Sequence, residues 1–244
     1  EIPHSAGNHA SPFVTENTEY SVAATRFSVP TPQADVPIAS YKENFRGLLS
    51  FVKVDSATGR MSIGFQVLMP GYNYDLARAG KGPSREWAFF TSYNSEEANS
   101  LLEVNASQKD KDYIAAVHWT VAEQCVKDGK AKQMPARYAH NVMDPKSHVA
   151  TSTMETSTTF LDAKECPGVV YYLPTPKSPH GVDVDPSGEL ITAGGKLASL
   201  IPVFSYTKMV KAIEDKAFDG EASGVPILKY DAVLAGEVKE PGLG

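Results

Sequence analysis

The chain is 244 residues long, 42% hydrophobic, with 23 Lys and Arg against 29 Asp and Glu and a formal net charge of −6. Its basic residues form no long run, which argues against the clustered phosphate contacts of a nucleic-acid partner. No apolar stretch approaches the roughly 18 residues of a membrane span, and the chain opens with neither a leader pattern nor a Met.

In chain order, Gly7-Asn8-His9-Ala10 leads to a polar turn at Glu16–Glu19 and a small-residue strand from Ser21. A proline-bearing irregular loop, residues 28–44, comes next. Leu48–Val67 alternates on both sides of Ser56-Ala57-Thr58-Gly59 and reads as a hairpin. Residues 69–85 read as a Gly- and aromatic-rich loop, whose Gly80-Lys81-Gly82 lacks the spacing of a phosphate-binding loop. Trp87–Ser92 is a strand. Asn94 or Ser95 then caps a short helix through Leu102, with Glu96 and Glu97 in its first turn.

Residues 104–111 form a polar loop and Tyr113–Val117 a buried strand. Thr120–Lys127 has helical spacing and stops at Asp128-Gly129. Residues 130–160 are polar with little periodicity before Thr158–Leu161. Tyr206–Lys216 reads as a helix ended by Asp219-Gly220, and Pro226–Val233 as the last strand.

The stretch around His180 organises this pattern. Pro179 and Gly181 flank the imidazole, Val182-Asp183-Val184 alternates, Asp185-Pro186-Ser187-Gly188 is a turn, and Leu190–Ala193 resumes a strand. The start of the chain is built alike: a His beside small residues, a polar turn, then a small-residue strand ending in a basic side chain. Repetition of this kind, among mostly strand-like segments, marks propeller blades, whose equivalent positions converge on one axis. The expected fold is all-β, a partial propeller of about three to four blades with short helical excursions. Both ends lack a closing element, so the chain reads as one incomplete propeller, residues 1–244, within a longer protein.

The sequence holds no GxSxG, HExxH, CxxC or strand-to-helix GxGxxG. Cys125 and Cys166 make no disulfide framework and no metal signature; they are structural thiols or one bridge. The histidines remain. A rigidly held imidazole suits copper, although a lone His at a strand start is commonly structural.

The run PTPKSPHGVDVDPSGELITAGGKLASLIPVFSYTKM resembles the amino-terminal domain of nitrous-oxide reductase, in the branch with a KSPHGVDVDPSG signature. So do IPHSAGNHASPF, FQVLMPGYNYDLARAGKGPS, TSYNSEEANSLLEVNASQKDKDYIAAV and GVPILKYDAVLAGEVKEPGLG, in the same order. The resemblance implies a seven-bladed propeller whose hub holds CuZ, a four-copper sulfide-bridged cluster bound by seven histidines. By motif position, His9 and His180 match two of these ligands, while His4, His118, His140 and His148 match none. It also implies a calcium site: Tyr93 through its carbonyl, Glu96, Asp112 (or Asp110), and Ser178 where many members carry Asn.

The family's remaining ligand segments and its carboxy-terminal cupredoxin domain with the two-copper CuA site have no counterpart here. On this reading the parent is a periplasmic, copper-dependent homodimer of denitrification. It reduces nitrous oxide to dinitrogen and water with electrons from a cytochrome c or a cupredoxin, and this piece alone is inactive. The alternative is a non-enzymatic propeller scaffold stabilised by calcium, with both histidines structural. A different metal-dependent propeller oxidoreductase is a third.

Overall fold

Three successive runs of four strands fold back and forth to build the molecule. The computed structural model describes residues 13–16, 20–25, 48–55, 57–68, 73–92, 112–139, 153–175, 179–195, 200–222 and 224–239. The first run is β1 (Phe13–Val14), β2 (Tyr20–Thr25), β3 (Leu48–Asp55) and β4 (Arg60–Leu68). The second is β5 (Asn73–Ala79), β6 (Trp87–Ser92), β7 (Asp112–His118) and β10 (Val170–Thr175). The third is β11 (Pro179–Val184), β12 (Leu190–Gly195), β13 (Leu200–Ser205) and β16 (Leu234–Lys239). Each run pairs antiparallel with its sequence neighbours, the blade order of an up-and-down propeller. The fold is all-β with short helices, as expected, and three blades lie within the described residues.

Two hairpins extend the blades. Helix α1 (Trp119–Lys127) follows β7 and leads to β8 (Lys132–Ala139) and β9 (Thr153–Asp162) before β10. Helix α2 (Tyr206–Glu214) follows β13 and leads to β14 (Phe218–Ala222) and β15 (Val225–Leu228) before β16. Strand β9 joins β4 in parallel, and β15 joins β10 in parallel. Each hairpin thus leaves its own blade and widens the blade before it.

Packing follows from the period of two along each strand. Phe90, Tyr113, Ala115 and Val117 face blade 1, where they join Tyr20, Phe51, Phe65 and Val67 in one core. Trp87, Phe89, Ile114 and Ala116 face the other way and join Val182, Val184, Ile191 and Phe204 of blade 3. Both faces of blade 2 are covered, so β6 is buried at every residue, as its apolar run WAFF requires. Aromatic rings fill the first core: Phe51 stacks on Phe65 at 4.6 Å, and Tyr20 meets Trp119 edge-on at 5.6 Å.

Several expectations are corrected. Residues 69–85 contain β5, whose inward residues Ala77 and Ala79 are too small to make alternation visible beside Arg78. Residues 130–160 contain β8 and most of β9, paired from Lys132↔Phe160 to Ala139↔Thr153. Pro135 sits in β8, the outermost strand of its sheet, where a missing N–H breaks no second ladder. Helix α2 covers Tyr206–Glu214 of the expected 206–216, but Asp219-Gly220 do not stop it and instead lie in β14 at a register shift. Pro226–Val233 is not one strand: β15 stops at Leu228 and a single turn, α3 (Tyr230–Val233), precedes β16. Short apolar runs do not distinguish strand from helix by periodicity alone. The hairpin at 48–67 and the helix ending at Asp128-Gly129 stand as expected. The loop at 28–44 and the helix from Asn94 lie outside the described residues.

Candidate metal centre at the hub

The inner strands of the three blades lie side by side, β5 between β1–β2 and β11. Their turns touch in a row. The Gly82 N–H donates to Glu16 Oε1 at 3.2 Å, and the segment Lys81-Gly82 abuts Ser187-Gly188 backbone to backbone. Arg78 of β5 donates Nε–H to Asp183 Oδ1 of β11 at 3.1 Å, tying blades 2 and 3.

Local sequence fixes β11. Val182 and Val184 are buried and Asp183 is exposed. The Asp185 carboxylate closes the turn by accepting the Leu190 N–H at 2.8 Å and the Ser187 hydroxyl at 2.6 Å. Burial raises the Asp185 pKa, but these hydrogen bonds outweigh it and hold the carboxyl below its ordinary value. Gly188 completes the turn at φ +77°.

His180 is the second residue of β11 and falls at a break in its ladder. Pro179 pairs with Gly195 and Gly181 with Gly194, so His180 is an extra residue with no partner on β12. A bulge of this kind bends a strand and re-aims one side chain, and bulges concentrate beside active sites. Strand β5 breaks at the same level: Ala77 pairs with Phe90 but Asn73 with Ser92. Counted back from the turns, Ala77 corresponds to Val182 and Arg78 to Asp183, so Asp75 occupies in blade 2 the place of His180 in blade 3. Asp75 falls within residues 69–85, which read as a loop in sequence because β5 shows no alternation.

Of the other expected site residues, His9, Tyr93, Glu96, Asp110 and Ser178 lie outside the described residues, as do His4, His140 and His148. Asp112 opens β7 with 1% exposure and pairs with Thr175. By alternation with Ile114 and Ala116, Asp112 is on the face of blade 2 toward blade 3. Thr91 and Thr175 share that face and that end of the blade, and their hydroxyls are buried without a hydrogen-bond partner among the described residues. A buried carboxylate with two unsatisfied hydroxyls nearby has the hard-oxygen chemistry that a calcium ion uses. No group of three or more His, Cys, Asp or Glu side chains is gathered for a metal among the described residues.

His118 ends β7 and packs on Trp87 at 4.4 Å, and the Thr120 hydroxyl lies 2.9 Å from its Nδ1. It is structural. Cys125 of α1 and Cys166 are joined in a disulfide that spans the root of the β8–β9 hairpin. A cavity of about 280 Å³ lies away from the hub, between Tyr171, Lys216 and Phe218 near the end of α2 and Pro226 of β15.

No known family model matches the chain. It is similar to nitrous-oxide reductases of Pseudomonas fluorescens and Stutzerimonas stutzeri, each 24% identical over 83% of this chain, and of Cupriavidus necator, 28% identical over 89%. The chain spans about 28% of the length of these relatives. Among solved structures, it has similarity to the periplasmic gluconolactonase of Pseudomonas aeruginosa (TM-score 0.38, 9% identity, all of this chain and 60% of that one). A second is the hydrazine synthase of Kuenenia stuttgartiensis (TM-score 0.32, 9% identity, 93% and 61%). Likeness of that degree adds nothing to the fold read from the strand pairing. No helix among the described residues is long and apolar enough to cross a membrane.

Proposed function

We propose that this chain is part of a nitrous-oxide reductase, an incomplete propeller contributing His9 and His180 to a copper site at the hub. The observation that carries the reading is the ladder break at His180, in the inner strand of a blade, within a stretch of family-like sequence. Similarity to nitrous-oxide reductases over most of the chain supports it. A neutral imidazole is a fitting copper ligand, and rigid backbone at Pro179 restricts where His180 can move.

When bound, the four-copper sulfide cluster supplies the two electrons that, with two protons, convert nitrous oxide to dinitrogen and water. The residues of this chain hold and shield. His9 and His180 are two ligands among seven, Asp75 stands at the equivalent level of blade 2, and the touching turns of the three blades narrow one end of the hub. Tyr93, Glu96, Asp112 and Ser178 hold calcium, with Thr91 and Thr175 as neighbouring oxygens. Electrons reach the site from a cytochrome c or cupredoxin through CuA in the carboxy-terminal domain, within a homodimer. The Cys125–Cys166 disulfide is consistent with an oxidising compartment such as the periplasm.

Metal analysis of the full-length protein tests this, with His180→Ala beside wild type. The variant is expected to lose the cluster's copper, about four ions per chain, while keeping calcium. Copper unchanged by the substitution overturns the reading of His180. Calcium without copper in the wild type returns the protein to the scaffold alternative.

A further inference from the structure

The cavity of about 280 Å³ beside β10 is walled by elements that are each tied in place. Cys166, one of its lining residues, is fixed by the bond to Cys125. Strand β15 is held by its parallel pairing to β10, and β14 by its pairing to β15. Val170, Ile213, Phe218 and Val225 supply an apolar lining. The Tyr171 and Phe218 rings lie 28° from parallel with centroids 6.2 Å apart. A cavity of this volume stands near the lower end for small-ligand sites, so it suits a small occupant.

Three polar groups of the lining have no bonding partner among the described residues: the Lys164 and Lys216 ammoniums and the Tyr171 hydroxyl. The acids next to the two lysines are engaged elsewhere. Glu165 bonds to Lys132, and Asp215 accepts from Lys211 at 2.7 Å. The stem of Lys164 runs over Gly224, its Cγ 3.4 Å from where a Cβ there would stand. Burial raises the Tyr171 pKa, so the phenol keeps its proton and can donate.

Lys216 lines this cavity against its own backbone preference. It is the one non-glycine residue with positive φ among the described residues, at +53°, a conformation unfavourable to any side chain with a Cβ. The matching position of α1 is Gly129 at φ +76°, and the two helices end in the same bond: the Lys130 N–H to the Cys125 carbonyl, and the Ala217 N–H to the Ala212 carbonyl. Glycine serves this place in α1, yet a lysine occupies it in α2, where the place borders a cavity. Strain kept at such a point indicates use of the side chain. We propose that the cavity binds a small organic acid, an apolar body carrying one carboxylate. Lys164 and Lys216 take the carboxylate, and the wall of Tyr171 and Phe218 takes the body. A bare inorganic anion would leave that wall against water, and a neutral apolar molecule would leave both ammoniums without a counter-charge. The inference stands apart from the copper reading, since the cavity lies away from the hub.

Calorimetric titration of the full-length protein with benzoate tests it, with benzyl alcohol and inorganic phosphate as comparisons. Benzoate is expected to bind saturably and at least about 10-fold more tightly than either. Lys216→Gly keeps the helix end and removes the ammonium, so the unliganded variant should unfold at a higher temperature while its benzoate affinity falls roughly 10-fold. Lys164→Gln should weaken benzoate to a similar extent. Benzyl alcohol bound as tightly as benzoate overturns the proposal. So does benzoate affinity unchanged in Lys216→Gly, which would leave Lys216 as a helix-end charge. Phosphate bound as tightly as benzoate overturns the organic body and leaves a simple anion site. No saturable binding of benzoate below about 10 mM overturns the site itself.

Discussion

Gly188 and Lys81 meet backbone to backbone across the boundary between blades 2 and 3. A Cβ on Gly188 would stand 1.8 Å from the Lys81 carbonyl oxygen, and Gly188 already has φ +77°. The approach is possible only for glycine, and with the Arg78–Asp183 pair it sets how closely the two inner strands converge.

Gly188→Ala is therefore expected to destabilise the protein by about 2–4 kcal/mol, from the left-handed backbone together with the clash. Gly59→Ala makes the comparison: φ is +68° but nothing lies within 4 Å, so about 1 kcal/mol is expected. Denaturant midpoints of the two variants separate close approach from backbone strain.

The helix ends give a matched pair. Helix α1 closes with Gly129 at φ +76° and the Lys130 N–H donating to the Cys125 carbonyl at 3.0 Å. Helix α2 closes the same way, the Ala217 N–H donating to the Ala212 carbonyl at 2.8 Å, but with Lys216 at φ +53°. Lys216→Gly should stabilise by about 0.5–1 kcal/mol and Gly129→Ala destabilise by a similar amount. Thermal unfolding of each variant checks the sign.

Cys125 and Cys166 are 41 residues apart, and the segment between them is the hairpin that extends blade 1. Loop-closure entropy gives their bond about 4 kcal/mol against the reduced unfolded chain. Reduction, or the Cys125→Ser/Cys166→Ser pair, is expected to lower stability by up to that amount. Hydrogen exchange should place the first loss at β8 and β9, with β12 and β13 the last to respond.

His118 gives a pH dependence. Burial beside Trp87 lowers its pKa, and the Glu86 carboxylate, 4.0 Å away, opposes this only in part. The unfolded chain then binds a proton that the folded chain refuses, so stability falls as pH drops below the ordinary histidine value of about 6.5. His118→Gln should flatten the dependence between pH 6.5 and 5, read from denaturant midpoints. An unchanged slope would remove His118 as its source.

Much of this molecule is legible in its residues, because local chemistry alone decides it. Asp185-Pro186-Ser187-Gly188 can hardly be other than a turn, WAFF is apolar enough for a strand covered on both faces, and Asp128-Gly129 stops a helix through a residue suited to positive φ. The strand-turn-strand order shared by β1–β2 of the first blade and β11–β12 of the third is also visible in sequence, since inner strands repeat their own turn chemistry. What only the tertiary structure decided depends on neighbours distant in the chain. Strand β5 is a strand because Ala77 and Ala79 fit against flanking blades, and β9 is one because the edge of β4 offers it a ladder, which β8 then extends. The bulge that singles out His180, and the matching level of Asp75, are properties of pairing register, which no single strand's sequence contains. Composition and turns fix where the chain can bend; which edges and faces then meet is set by packing between blades.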